Sequence, residues 1–268
     1  MGGMAIPITM MRMSERAGNT VVIAAGIGLA IIVIAGIFAL STPPAAFEKT
    51  VPDKTIQEET GTRTDAAFIP LPAPETAGTV SVEEALLYRR SVREYAATPL
   101  NSSDISRLLW AAQGRTGSRG FRTAPSAGAL YPLEVFVACA NVSGLPAGLY
   151  HYLPESHALE QVSGRDVRED LYKNALFQAP VRDAPAVIII AADYNRTTQK
   201  YGERGIRYVH MEAGHAAENI CLQAYALGIG TVTIGAFDDS GVRSVVGLPP
   251  EQIPLYLMPV GKVRMQTA

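Results

Sequence analysis

Twenty consecutive residues, Val21 to Leu40 (VVIAAGIGLAIIVIAGIFAL), carry no charge and no polar side chain, and the uncharged stretch extends from Arg16 to Glu48. At the α-helical rise, such a run spans about 30 Å, the hydrocarbon thickness of a bilayer. A soluble core helix would show a polar stripe at the helical period, and this run has none. A cleavable signal peptide is the competing reading, with Ala39-Leu40-Ser41 as its cleavage site. Its apolar region, however, usually runs only about 7–15 residues. The expectation is therefore a single-pass transmembrane helix at 21–40, preceded by a flank at 1–20. Arg12 and Arg16 lie before it, and Lys49 and Lys54 after it. That near-balance tilts toward a cytoplasmic N-terminus and leaves the side of the remaining chain open.

The rest of the chain divides by texture. Residues 41–68, with Pro43, Pro44 and Pro52 among scattered Thr, Glu and Lys, read as a linker. Ile69-Pro70-Leu71-Pro72 is more apolar and is expected to lie as an extended arm on a globular domain at 69–268. The 23 Lys+Arg against 25 Asp+Glu argue against a nucleic-acid partner, which needs a basic excess. Two cysteines are too few for a disulfide scaffold or a four-thiolate zinc site, and 48% hydrophobic residues exclude disorder of the whole.

Within the domain, Ser81-Val-Glu-Glu84 starts a helix that reaches Arg90, and Asn101-Ser-Ser-Asp104 starts a second that ends at Gly114. Leu133–Ala140 and Ala184–Ala192 read as buried strands, with a hairpin of Gly148–Leu153 and Ala158–Val162 between them. A helix at Asp166–Leu176, a long helix at Arg204–Leu227, a strand at Thr231–Ile234, a short helix at Gly241–Val246 and a strand at Leu255–Val260 complete the order. Helices mixed with hairpins point to an α+β fold, a central mixed or antiparallel sheet wrapped by helices.

Three motifs fail on context. Gly228-Ile-Gly230 opens like a dinucleotide fingerprint but follows a helix and precedes a strand, the reverse of what phosphate binding at a helix N-terminus needs. Glu212-x-x-His215 has di-iron spacing but no second unit, which leaves His215 a structural or subunit-contact role. His210 and His215 are five apart rather than the four of a zinc-protease helix, so no metal site is expected. Cys139 and Cys221 read as buried, inert thiols.

Arg89-Arg90-Ser91-Val92-Arg93 places three guanidiniums and a hydroxyl within five residues. That donor set suits a phosphate monoester, and equally a solvated basic helix end that complements the macrodipole. This block, followed by Thr123-Ala-Pro-Ser-Ala-Gly-Ala-Leu-Tyr-Pro132 before an apolar strand, resembles the nitroreductase family of FMN flavoproteins. The stretch Lys200-Tyr201-Gly-Glu-Arg204-Gly-Ile-Arg207-Tyr208-Val-His-Met-Glu212-Ala-Gly-His215, with Asn219, is similar to the subgroup that oxidises thiazolines and oxazolines in ribosomal peptides. Gly228–Asp238 and Pro259-Val-Gly-Lys262 complete an order that covers roughly residues 69–264.

The resemblance implies a homodimer with FMN at each subunit interface. By motif, Arg89, Ser91 and Arg93 hold the phosphate and ribityl chain with Arg90 close by, and Lys262 and Arg264 lie toward the phosphate end. Pro125, Ser126 and Ala127 approach the flavin from the partner subunit. Thr233, Ile234 and Gly235 lie against the isoalloxazine, and Gly235 stands where many nitroreductases carry Glu. Lys200 and Tyr201 match the subgroup's proton-abstracting pair; a Lys beside Arg204 would need partial desolvation to act as a base, and an ordinary surface Lys and Tyr is the plainer reading. The implied activity is FMN-dependent oxidation of peptide azolines to azoles. An NAD(P)H-dependent nitro or quinone reductase, acting on small molecules, and a non-catalytic membrane-anchored flavin-binding protein are the alternatives, because one scaffold hosts all three.

Overall fold

The computed structural model describes residues 68–264. The apolar run at 21–40, its flank and the linker up to residue 67 lie outside the described residues. Among the described residues, no helix is long and apolar enough to cross a membrane.

An edge strand β1 (Phe68–Pro70) is followed by α1 (Val82–Tyr88) and by β2 (Leu100–Asn101), which runs into α2 (Ser102–Gln113). The short pair β3 (Arg115–Thr116) and β4 (Phe121–Arg122) precedes a single 3₁₀ turn at Ala127–Ala129. Then come β5 (Leu133–Cys139), β6 (Val142–Ser143), β7 (Gly148–Leu153) and β8 (Ala158–Ser163). Two short helices, α3 (Arg168–Asn174) and α4 (Ala179–Asp183), lead to β9 (Ala186–Asp193). The chain continues through α5 (Asn195–Tyr201), α6 (Arg204–Ala226), β10 (Ile229–Thr231), α7 (Asp239–Val246) and β11 (Gln252–Lys262).

Seven strands form the main sheet in the order β1-β8-β7-β5-β9-β11-β10, and every neighbouring pair is antiparallel. The fold is α+β, as expected. An interior strand, β9, explains why an antiparallel sheet can read as a continuous apolar run. Along β9, Ala186, Ile188, Ile190 and Ala192 point into one core, with Ile105, Leu108 and Leu109 of α2 and Val209, Ala213 and Ile220 of α6. Val187, Ile189 and Ala191 point into a second core, with Leu171 of α3, Val181 of α4 and Val242 of α7. Both faces of β9 are covered, so strict polar alternation never appears.

Local chemistry sets the helix starts. Asn101 accepts from the Asp104 amide at 2.8 Å, and Asp104 accepts from the Asn101 amide at 3.1 Å, a complete capping box for α2. At α1 only half the box forms. Ser81 accepts from the Glu84 amide at 3.1 Å, while the Glu84 carboxylate turns to the Tyr225 hydroxyl at 3.4 Å.

Several boundaries differ from expectation. The helix expected to reach Leu176 stops at Asn174, because Leu176 and Phe177 turn left-handed at φ 54° and 55°. The strand expected at 231–234 begins at Ile229 and breaks after Thr231, and Ile234 bridges separately to Leu257. Residues 195–201 form a helix of their own, ahead of the long helix and not expected from the pattern. Gly205 permits that junction, since a Cβ there would lie 2.9 Å from the Thr198 Cα.

Candidate active site

The arginine block leaves α1 and lies directly on the strand it must serve. The Val92 amide donates to the Thr231 carbonyl at 2.8 Å, and Ser91 and Thr231 form a parallel bridge. Gly230 allows the approach: a Cβ there would lie 2.5 Å from Val92 Cγ1. Tyr95 fastens the loop, its hydroxyl within 3.1 Å of the Val92 carbonyl and 3.2 Å of the Pro259 carbonyl. Burial pushes the Tyr95 phenol well above its ordinary value, so it stays a neutral donor.

Beyond Thr231 the chain alternates. Val232 and Ile234 are buried, while Thr233 and Gly235 are exposed beside the arginine loop's strand partner. Thr233 Oγ1 lies 3.8 Å from the Cys221 sulfur. Cys221 is thus partly exposed at the site rather than a core thiol, whereas Cys139 is buried and its pKa is pushed up to about 12.

The three arginines have different commitments. Arg89 pairs with Glu218 of α6 at 3.2 Å, and Arg90 folds back onto the Leu87 and Arg89 carbonyls at 3.0 and 2.8 Å. Arg93 is exposed and has no ion-pair partner among the described residues. Lys262 has a partner of its own: its ammonium holds the Asp104 carboxylate at 3.1 Å, tying β11 to the α2 cap. Arg264 is exposed, 3.9 Å from Glu94.

A second group forms around the loop from Pro125 to Tyr131. Gly128, Ala129 and Tyr131 are all left-handed, at φ 65°, 54° and 47°. Non-glycine residues there cost about 1–2 kcal/mol each, so the loop must be held from outside. Ser126 Oγ accepts from the Tyr131 amide at 2.9 Å, and Arg196 of α5 donates to the Tyr131 carbonyl at 3.1 Å. The Arg122 guanidinium stands 4.6 Å over the Tyr131 ring. Lys200 and Tyr201 rest on the glycine of this loop. A Cβ at Gly128 would lie 2.9 Å from the Lys200 ammonium and 2.7 Å from the Tyr201 hydroxyl.

The structure therefore brings the candidates together as two sets. Arg89, Ser91 and Arg93 lie in the loop that runs along β10 toward Thr233, Ile234 and Gly235. Pro125, Ser126 and Ala127 share a loop with the glycine beneath Lys200 and Tyr201. The first set reaches α6 at Glu218 and the second at Glu212, six residues apart or about 9 Å along the helix.

A model of the Nitroreductase family matches residues 86–262. The chain belongs to the nitroreductase family. It is 48% identical over 183 residues to a Methanocaldococcus jannaschii protein that carries a nitroreductase name, covering 68% of this chain and 91% of that one. It is also 32% identical over 149 residues to the Escherichia coli microcin B17-processing protein McbC, covering 53% and 54% of the two chains. Among solved structures, a chain of the E. coli microcin synthetase McbBCD complex with truncated pro-MccB17 bound superposes with a TM-score of 0.57 at 25% identity, covering 81% of this chain and 85% of that one. The protein is thus a nitroreductase-family oxidoreductase related to peptide-processing proteins.

Sequence reasoning missed one residue of this nitroreductase's site. Glu212 is 2% exposed, and burial raises its pKa to about 7 against the opposing pull of Ser126 and Arg122. His215, three residues further along α6, is exposed, so the two do not share an environment. The legible signal was positional. Val209, Ala213, Ala216 and Ile220 make the apolar stripe of α6, and Glu212 interrupts it.

Proposed function

We propose that this nitroreductase is an FMN-dependent oxidoreductase that dehydrogenates peptide azolines to azoles and works as a homodimer. The observation that carries the reading is the seating of Lys200 and Tyr201 together on Gly128, in the loop the resemblance assigns to flavin contact. Similarity to the microcin B17-processing protein supports a peptide substrate.

The residues present fit FMN. Arg93 is an exposed guanidinium without an ion partner among the described residues, beside the Ser91 hydroxyl, a donor pair suited to a phosphate. Thr231 Oγ1, on the strand this loop follows, is buried without a hydrogen-bond partner. Arg89, Ser91 and Arg93 would hold the phosphate and ribityl chain, and the backbone at Thr233–Gly235 would face the ring system. FMN supplies the hydride acceptor when bound. The chain's own tasks are to orient the ring carbon and remove its proton. Lys200 is the base in this reading, with Tyr201 beside it, its ammonium 5.4 Å from the phenol ring centre. Lys200 is exposed in the single chain, so its desolvation falls to the partner subunit and the bound peptide.

The homodimer is supported by α1, where Val82, Leu86, Leu87 and Tyr88 are each more than half exposed. In this reading, as the resemblance implies, Pro125, Ser126 and Ala127 approach the flavin from the partner subunit. The run at 21–40 supports a single-pass membrane anchor for this dimer.

A second reading, an NAD(P)H-dependent nitro or quinone reductase, is favoured by the M. jannaschii similarity, which spans 91% of that protein. The test is to incubate flavin-loaded protein with a thiazoline-containing peptide and to follow loss of hydrogen from the ring by mass spectrometry, alongside NAD(P)H-dependent quinone reduction. Conversion of the ring supports dehydrogenation. Reduction without ring oxidation on any azoline peptide selects the reductase.

A further inference from the structure

The helix that ends in Lys200 and Tyr201 grips the left-handed loop at two points. Its last turn sets the Lys200 ammonium and the Tyr201 hydroxyl against Gly128. Its first turn carries Arg196, four residues before Lys200 and so on the same helical face. The Arg196 guanidinium donates to the Tyr131 carbonyl at 3.1 Å. Two carboxylates hold that guanidinium in place: Glu134, with which it pairs directly, and Asp193 at 3.4 Å. Glu134 is held in turn by His151 Nε2 at 2.7 Å. Tyr131 is therefore tied by both of its backbone groups, its amide donating to Ser126 Oγ at 2.9 Å and its carbonyl accepting from Arg196.

An exposed ion pair is ordinarily worth little, about 0–1 kcal/mol, and the Arg196 side chain is 39% exposed. What sets this arginine apart is the carbonyl it holds. Ala129 and Tyr131 sit at φ 54° and 47°, conformations that relax unless the surroundings hold them. Beyond Tyr131 the chain is already fixed, since the Pro132 carbonyl accepts from the Asp193 amide at 2.9 Å and β5 begins at Leu133. Relaxation at Tyr131 must therefore run back toward Gly128, the seat of the pair.

We infer that Arg196 is a positioning residue for the Lys200–Tyr201 pair: by holding the Tyr131 carbonyl it fixes the loop on which both side chains rest. The inference deepens the proposed function and rests on that reading for the role of the pair.

The test compares wild type and Arg196→Ala as flavin-loaded full-length proteins, with Arg165→Ala, which breaks an exposed pair with Asp170, as control. Amide hydrogen exchange is followed at Ala129 and Tyr131, the two loop amides bonded to Ser126. It should quicken about three- to tenfold in Arg196→Ala, the worth of one hydrogen bond. With a thiazoline peptide, kcat should fall about ten- to hundredfold at unchanged KM, as misplacement of a base does, while quinone reduction holds. Ethylguanidinium, which restores the severed end of the side chain, should reverse both changes at millimolar concentration, and sodium chloride should not. The control should match wild type throughout. Should Arg196→Ala fail to fold, Arg196→Met keeps the stem without the donors and must give the same exchange and rate changes. The inference is overturned if loop exchange or kcat stays at the wild-type value, or if the loss falls on KM. It is equally overturned if quinone reduction drops as far as azoline oxidation, or if ethylguanidinium restores nothing. A protein that oxidises no azoline sinks the proposed function, whereas exchange and its rescue need no peptide and decide by themselves whether Arg196 holds the loop.

Discussion

The amide of Val92 donates to the carbonyl of Thr231 at 2.8 Å, and that bond lays the arginine loop against the end of β10, from which the chain leads on to Thr233 and Gly235. Two segments about 140 residues apart in the chain thereby become one surface, as the strand-like contact between them requires. The approach depends on the absence of a side chain at Gly230.

Gly230→Ala should therefore part the loop from β10. The new Cβ would fall 2.5 Å from Val92 Cγ1 and 2.7 Å from Val92 Cβ, and a β-branched residue has little room to turn away. The expected cost is about 1–3 kcal/mol, read as a lower Tm, together with weaker flavin retention. An unchanged Tm and flavin content would show that the contact relaxes freely.

Arg93→Ala should weaken FMN binding about ten- to hundredfold, the worth of a charge-assisted hydrogen bond. Fluorescence titration of the apoprotein with FMN measures it. The same Kd in variant and wild type would make Arg93 a solvated helix-end charge.

Lys200→Ala and Tyr201→Phe should lower azoline oxidation by about 10²–10⁴-fold at matched flavin content, because the base and the hydride acceptor act in one transition state. NAD(P)H-dependent quinone reduction abstracts no such proton and should change far less. Paired rates on each variant decide the matter, and equal losses in both reactions would remove the base assignment.

Glu212 predicts a pH dependence of stability. In the unfolded chain a Glu titrates near 4.3, whereas burial pushes Glu212 up to about 7 in the fold. The folded state holds the proton more tightly, so this contribution is complete below about pH 4.3 and is lost as pH rises through 7. Wild type should lose Tm between pH 5 and 8, at about 2–4 °C per kcal/mol for a domain of this size. Glu212→Gln should flatten that slope, and parallel Tm curves for the two proteins would refute the assignment.

Much of the fold could be read from pattern. The Asn101 cap, the hairpin around Pro154 and the apolar runs that became β5 and β9 were visible because each depends on near neighbours in sequence. So were the arginine block and the Lys200-Tyr201 pair as candidate chemistry. The separate helix α5 was not, since Gly202 and Gly205 break the pattern only through the angle at which two helices meet. Nor was the pairing of Lys262 with Asp104, since the two lie 158 residues apart and neither carries a local mark of the other.

Alone, the sequence determined most of the helices and strands, that the fold is α+β, and which residue types could serve a phosphate and a proton. Those properties follow from periodicity, capping and side-chain chemistry within a few residues. Only the tertiary structure decided that Val92 meets Thr231, that Lys200 and Tyr201 sit on Gly128, and that Glu212 is buried. Such contacts depend on how the sheet and α6 stack, and burial, which sets the protonation of a carboxyl, is a property of that stacking and not of the neighbours in sequence.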